Sequence, residues 1–192
     1  MNKINHPKTE ELTTVILCGG KGSRVNYQNK PLVIWHGKPL IEYVANSLPE
    51  SAEQLISANR DLEKYSEYGR VVTDSITGLE SNSPLVGVLA ALQEMANEWL
   101  LCVPGDTPLL HKGWEIALLE AATADSILCA EDKQRIQPLH LLLHISERKY
   151  LKDYLSEGNK SATDFLNARK ARSVRFTNTE LFKNFNSAED FT

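Results

Sequence analysis

Short, almost wholly apolar runs alternate with stretches of helical spacing along most of the chain. Thr13 to Leu17 and Trp99 to Val103 are continuous runs of the kind that form parallel strands covered on both faces. Further strands are predicted at Gln54 to Ala58, Val71 to Thr73, Ser126 to Ala130, Leu139 to His144 and Arg172 to Phe176. Between them, helices are predicted from Pro39 to about Ser47, Leu62 to Tyr68, Pro84 to Ala96, Lys112 to Ala122, Ser146 to Leu155 and Ala162 to Arg169. In the third of these, Leu85, Val88, Leu89, Leu92 and Met95 share one face. Strand and helix alternating in this way predict an α/β fold around an open, mainly parallel sheet.

The chain has 192 residues, which suits one domain with one substantial core. Its composition, 42% hydrophobic and 24% charged, is that of a globular protein, and no apolar stretch approaches the roughly 18 residues that span a bilayer. The first twelve residues are polar and mixed in charge, a tail without the apolar segment of a secretory signal, so the expected compartment is the cytoplasm. Cys18, Cys102 and Cys129 are widely spaced among aliphatic neighbours and read as reduced, buried thiols. A net charge of −4 gives no general attraction to nucleic acid or to anionic membrane. Any polyanion must be held locally.

One place has the residues for that, although a strand followed by Gly-Gly also reads as a tight structural turn. The run Thr13 to Leu17 empties into Cys18-Gly19-Gly20-Lys21-Gly22, with Arg24 and Lys30 close behind. Glycines there allow left-handed backbone and close approach of N–H groups to anionic oxygens, and the cations add charge. The spacing matches neither GxxxxGK[ST] nor GxGxxG. Ligands of open parallel sheets sit beyond the carboxyl ends of strands, which adds Ser57 to Arg60, Asp74 and Asp106 to the candidates. Asp106 follows a buried strand on a Gly-Asp-Thr-Pro turn, where a carboxylate can hold a hard divalent cation. A phosphate-cradling loop and a metal carboxylate at one sheet edge point to phosphoryl or nucleotidyl transfer. There is no GxSxG elbow and no recognisable Cys–His pair for acyl transfer. His140 and His144 are four apart, but LHLLLH reads as a strand rather than as a helical metal site. The segment Ser146 to Phe176 is rich in Lys and Arg and reads as a solvated face.

The order of these pieces resembles the molybdenum cofactor guanylyltransferases, the MobA family. The resemblance rests on LCGG (Leu17 to Gly20) with Arg24 and Lys30, GKPL (Gly37 to Leu40), SANR (Ser57 to Arg60), Asp74-Ser75, SPLVG (Ser83 to Gly87), GDTP (Gly105 to Pro108), QPLH (Gln137 to His140), GNKS (Gly158 to Ser161) and NFNSAEDF (Asn184 to Phe191). It implies a single-domain, Rossmann-like three-layer sandwich of nucleotidyltransferase type, 13–192, with 13–110 as the nucleotide-binding half and 111–192 as the acceptor-binding half. It also implies a reaction in which GMP passes from GTP to molybdopterin, with Mg²⁺ as cofactor and pyrophosphate released. Leu17, Cys18, Gly19 and Gly20 then hold the nucleotide, with Ser57 and Asp74 beside them. Lys30 holds the triphosphate, Arg24 neutralises the departing pyrophosphate, and Asp106 carries the metal. Lys160 and Ser161 fall on the acceptor side, and Asn184 and Asn186 join it near the metal side of the site. The same resemblance leaves room for contacts with molybdoenzyme maturation proteins.

The chain departs from the family between Arg24 and Lys30, where Met-Gly-Gly-x-Asp is replaced by Val25, Asn26, Tyr27, Gln28 and Asn29. Ser57 also stands where related enzymes carry an asparagine. Two alternatives therefore stay open: a nucleotidyltransferase with another base or acceptor, such as CTP with the same pterin or a sugar or polyol phosphate, and a catalytically weak cofactor-binding protein.

Overall fold

The computed structural model describes residues 6–19, 24–25, 28–50, 53–79, 82–123, 126–186 and 190, without the side chains of residues 24, 25 and 28. Seven strands form the central sheet: β1 (Leu12–Leu17), β2 (Glu53–Ser57), β3 (Arg70–Val72), β4 (Trp99–Pro104), β5 (Ile127–Glu131), β6 (Ile136–His144) and β7 (Arg172–Arg175). Their order is β7-β5-β6-β4-β1-β2-β3. β1 is parallel to β2 and β4, β2 to β3, and β5 to β7. Within this sheet β6 runs antiparallel, against both β4 and β5. The expected mainly parallel α/β sandwich is what the chain forms.

The helices are α1 (Leu40–Ser47), α2 (Leu62–Tyr65), α3 (Pro84–Glu94), α4 (Ile116–Ala121), α5 (Glu147–Ser156) and α6 (Ala162–Ala168). Alternate strand residues divide them between two faces. Leu12, Ile16, Leu101, Val103 and Leu142 pack with α1 and α4, and with Leu181 and Phe182. Val15, Leu17, Leu100, Cys102, Leu141 and Leu143 pack with α3, α5 and α6. α3 begins at Pro84, behind Ser83, whose Oγ accepts from the Leu85 N–H at 3.2 Å. The single apolar face expected of α3 is an underestimate. Val86, Gly87, Ala90 and Ala91 are buried as well, because α3 is covered both by the sheet and by its neighbours α5 and Asp74–Thr77. The helix predicted over Lys112 to Ala122 begins only at Ile116, since Gly113 sits at φ +87, outside helical backbone.

From β1 the chain steps outward to β2 and β3, then crosses back to β4 on the other flank of β1. The carboxyl ends of β1 and β4 therefore frame the switch point of the sheet, the crevice where ligands of open α/β folds bind. The two ends are tightly joined. Leu17 is in register with Pro104, and the Gly105 N–H donates to the Leu17 carbonyl at 3.0 Å. A Cβ at Gly105 would lie 2.9 Å from Cys18 Sγ and 3.1 Å from Pro31, so glycine is what lets these segments meet.

His140 and His144 lie on β6, as the strand pattern predicts. His140 is buried edge-on against Trp114 and Phe182, with ring centroids 5.9 and 4.8 Å away. Burial lowers its pKa to about 3, so the folded state holds a neutral imidazole. An unfolded histidine titrates near 6.5. As the pH falls from about 6.5 towards 3, the unfolded chain takes up a proton that the native core refuses, and stability drops by up to about 1.4 kcal/mol per pH unit. Urea unfolding at pH 7, 6 and 5 should therefore show a shallower loss of stability in His140→Leu than in the parent. Equal slopes would mean that His140 titrates freely in the folded core.

Candidate functional site

A cavity of about 230 Å³ opens beside the carboxyl ends of β1 and β2. Five of the expected nucleotide contacts line it: Leu17, Cys18, Gly19, Ser57 and Asp74. Gly20 lies outside the described residues, as do Lys21, Gly22, Asn26 and Tyr27. The left-handed backbone expected of the loop glycines does not occur at Gly19, which has no positive φ. Cys18 is buried, and burial together with the negative charge of Asp106 pushes its thiol pKa well up, so the sulfur stays protonated and is not a nucleophile. Cys102 and Cys129 are likewise buried, free thiols.

The opposite wall carries polarity. Asn59 Nδ2 donates to Asp74 Oδ2 at 2.7 Å, and the Asp74 N–H donates to Asn59 Oδ1 at 2.9 Å. Burial raises the Asp74 pKa, and the Asn59 amide acts against that rise. Arg60 lines the same cavity, so one cation and one carboxylate face a common space. The pairing of Asn59 with Asp74 is invisible in the sequence, because only the fold brings the end of β2 beside that of β3. Ser57 lies under the closest approach of α3, where a Cβ on Gly87 would be 2.2 Å from Ser57 Oγ.

Asn29 also lines the cavity. Arg24–Val25 pairs antiparallel with Gln28–Asn29, and the Asn29 side-chain amide donates to the carboxylate of Asp61. An acid at position 29 would set two carboxylates against each other; the neutral amide satisfies Asp61 instead.

On the β4 flank of the Cys18–Gly19 segment stands a second cluster. Lys30 Nζ donates to Asp106 Oδ2 at 3.0 Å and to Asn186 Oδ1 at 2.6 Å. Lys30 is buried at 8% exposure, which keeps its ammonium close to these two oxygens. The cluster therefore unites three of the residues expected at the site. Asp106 and Asn186 present two hard oxygens to one cation, a donor pair that suits Mg²⁺, which takes few protein ligands and fills its shell with water and phosphate oxygens. Among the described residues no group of three or more His, Cys, Asp or Glu side chains gathers as a metal site.

The other expected residues sit elsewhere. Arg24 is in the short hairpin, with its side chain outside the described atoms. Asn184 has no hydrogen bond to Lys30 or Asp106 among the described residues. Lys160 is exposed, and its carbonyl accepts from Ser83 Oγ at 2.7 Å, which attaches the GNKS segment to the start of α3. Ser161 Oγ caps α6 by accepting from the Asp164 N–H at 3.1 Å. Ser161 thus has a structural task of its own. Among the described residues no helix is long and apolar enough to cross a membrane.

The chain matches the model of the MobA-like NTP transferase domain over residues 14–174. It is 35% identical over 183 residues to the molybdenum cofactor guanylyltransferase of Serratia proteamaculans, covering 94% of this chain and 92% of that protein. To the molybdenum cofactor guanylyltransferase of Yersinia pseudotuberculosis it is 36% identical over 182 residues, covering 93% and 92%. The crystal structure of molybdopterin-guanine dinucleotide biosynthesis protein A from Archaeoglobus fulgidus superposes with a TM-score of 0.66 at 18% identity, covering 93% of this chain and 94% of that one, a likeness of fold. The chain belongs to the MobA-like NTP transferase family, and its enzyme class is nucleotidyltransferase.

Proposed function

We propose that the protein transfers GMP from GTP to the terminal phosphate of molybdopterin and releases pyrophosphate, as a soluble cytoplasmic enzyme. The observation that carries this reading is the convergence of Asp106 and Asn186 oxygens on Lys30 Nζ, beside a cavity walled by Cys18, Gly19, Asn59 and Asp74. The cavity offers a carboxylate and an arginine for a base and ribose. The Lys30 cluster offers a cation for the triphosphate. The relatives named as molybdenum cofactor guanylyltransferases support guanine and the pterin as the two partners of the reaction.

In this mechanism the pterin phosphate is already ionised, so no general base is required. One of its oxygens attacks the α-phosphorus of GTP, the bond from that phosphorus to the bridging oxygen breaks, and pyrophosphate leaves with the electron pair. Lys30 exchanges its carboxylate and amide partners for triphosphate oxygens. Asp106 and Asn186 are the residues that would hold Mg²⁺, and the metal would supply charge neutralisation at the reacting phosphates. Cys18 and Gly19 line the nucleotide, Ser57 packs beneath it, and Asp74 accepts hydrogen bonds from it. Gly20 and Arg24 complete the loop side, with Arg24 on the departing pyrophosphate. We assign 13–110 to nucleotide binding and 111–192 to the acceptor, with Lys160, Ser161 and Asn184 on the acceptor side.

Three outcomes test the assignment. Asp106→Ala should lower Mg²⁺-dependent pyrophosphate release from GTP and molybdopterin by on the order of 10²- to 10³-fold, the scale of one lost transition-state stabiliser. Unchanged turnover removes Asp106 from the metal site. Lys30→Ala loses a charge-assisted contact of about 1.5–3 kcal/mol, so the KM for GTP should rise by roughly 10- to 100-fold. Among GTP, ATP, CTP and UTP with Mg²⁺, GTP at about 100 times its dissociation constant should raise Tm by roughly 5–10 °C. A larger shift with CTP would transfer the assignment to a cytidylyl reaction.

A further inference from the structure

The segment that carries Asn186 is fastened by a contact outside the site. After Phe182 the chain leaves the core: Leu181 and Phe182 belong to the cluster on the α1 and α4 face, whereas Phe185 belongs to neither main cluster. Phe185 is nevertheless buried at 3% exposure. Its ring lies edge-on to Trp35, with centroids 5.0 Å apart. Trp35 stands in a small hairpin, Ile34–Trp35 against Lys38–Pro39, turned at His36 and Gly37 with φ 46 and 83. That hairpin is itself braced on α1: Tyr43 Oη donates to the Trp35 carbonyl at 2.9 Å, and the Tyr43 ring packs on Trp35 at 5.0 Å.

Two further bonds bring the brace to the site. The Phe185 N–H donates to the Asp106 carbonyl at 2.9 Å, and the next residue, Asn186, accepts from Lys30 Nζ. The Asn186 N–H donates to Asp190 Oδ2 at 2.8 Å, and Asp190 pairs with Lys183 at 3.2 Å, but these contacts close the segment on itself. The Trp35–Phe185 contact joins it to a separate, rigid element.

We propose that Trp35 is a positioning residue of the transfer site. Its ring holds Phe185, and Phe185 sets the position of the adjoining Asn186 amide oxygen relative to Lys30. The inference rests on the reading of Lys30, Asp106 and Asn186 as the phosphate and metal site. It adds a residue that touches no substrate and no metal. An edge-on aromatic pair has a defined geometry, which an aliphatic contact at the same place would not impose. Displacement of a catalytic oxygen by about 1 Å is enough to lower a rate by on the order of 10²-fold.

Amide hydrogen exchange and steady-state kinetics on the full chain test the proposal together. In Trp35→Ala the Phe185 amide should exchange at least about tenfold faster, while the Leu101 and Cys102 amides of β4 keep their protection; Trp35→Phe should restore the parent rate. Turnover should fall by about 10- to 100-fold in Trp35→Ala, and the Mg²⁺ concentration for half-saturation should rise. Because Trp35 acts through Asn186, Trp35→Ala should cost little further turnover in an Asn186→Ala background. Unchanged Phe185 exchange, or losses that multiply in the double variant, would overturn the proposal. The exchange measurement needs no substrate, so a parent protein that failed to turn over GTP would refute the substrate assignment and leave the clamp to be decided by exchange alone.

Discussion

One ammonium group ties together parts of the chain that are far apart in sequence. Lys30 Nζ is bonded across 76 positions to Asp106 and across 156 positions to Asn186. Its electrostatics are local: a buried cation needs partners, and two oxygens supply them. The same three groups meet only if β1 and β4 are held at a fixed separation. The Gly105 contact with Cys18 and Pro31 provides that separation, and the sheet order places it at the switch point. Core packing thus serves the site by holding two strand ends side by side.

Beside that cluster the cavity uses a different principle. Two of its polar groups are paired with each other: Asn59 donates to one oxygen of Asp74 and also accepts from the Asp74 backbone. A carboxylate held this way keeps a fixed direction at little further entropic cost on binding. At the edge of the cavity, Asn29 is tied to Asp61 by its neutral amide, which donates to the Asp61 carboxylate.

Much of the architecture is legible in the residues alone, for identifiable reasons. β1 and β4 are continuous apolar runs, and strands buried on both faces leave that signature. Asp106 stands out because a carboxylate follows such a run directly. The start of α4 is misplaced because periodicity takes no notice of the backbone angle at Gly113. The reversal of β6 is likewise hidden, since side chains alternate identically in either strand direction. Asn186 is found only through resemblance, and Trp35 not at all. Its hairpin has two residues on each side, too few for any period, and its partner Phe185 lies at the opposite end of the sequence.

The antiparallel insertion of β6 also divides the sheet by the length of chain each pairing must close. β5 and β6 are sequence neighbours joined by a tight turn, whereas β1 meets β4 only after two further strands of the central sheet, two small hairpins and three helices have been laid down. Loop-closure entropy favours the former and delays the latter. On loop-closure cost alone, the β5–β6 hairpin is the cheaper pairing to close and the β1–β4 seam the costlier one. A chain in which β4 has not yet met β1 leaves an apolar strand edge unpaired at the crevice, the kind of edge on which unfolded chains associate.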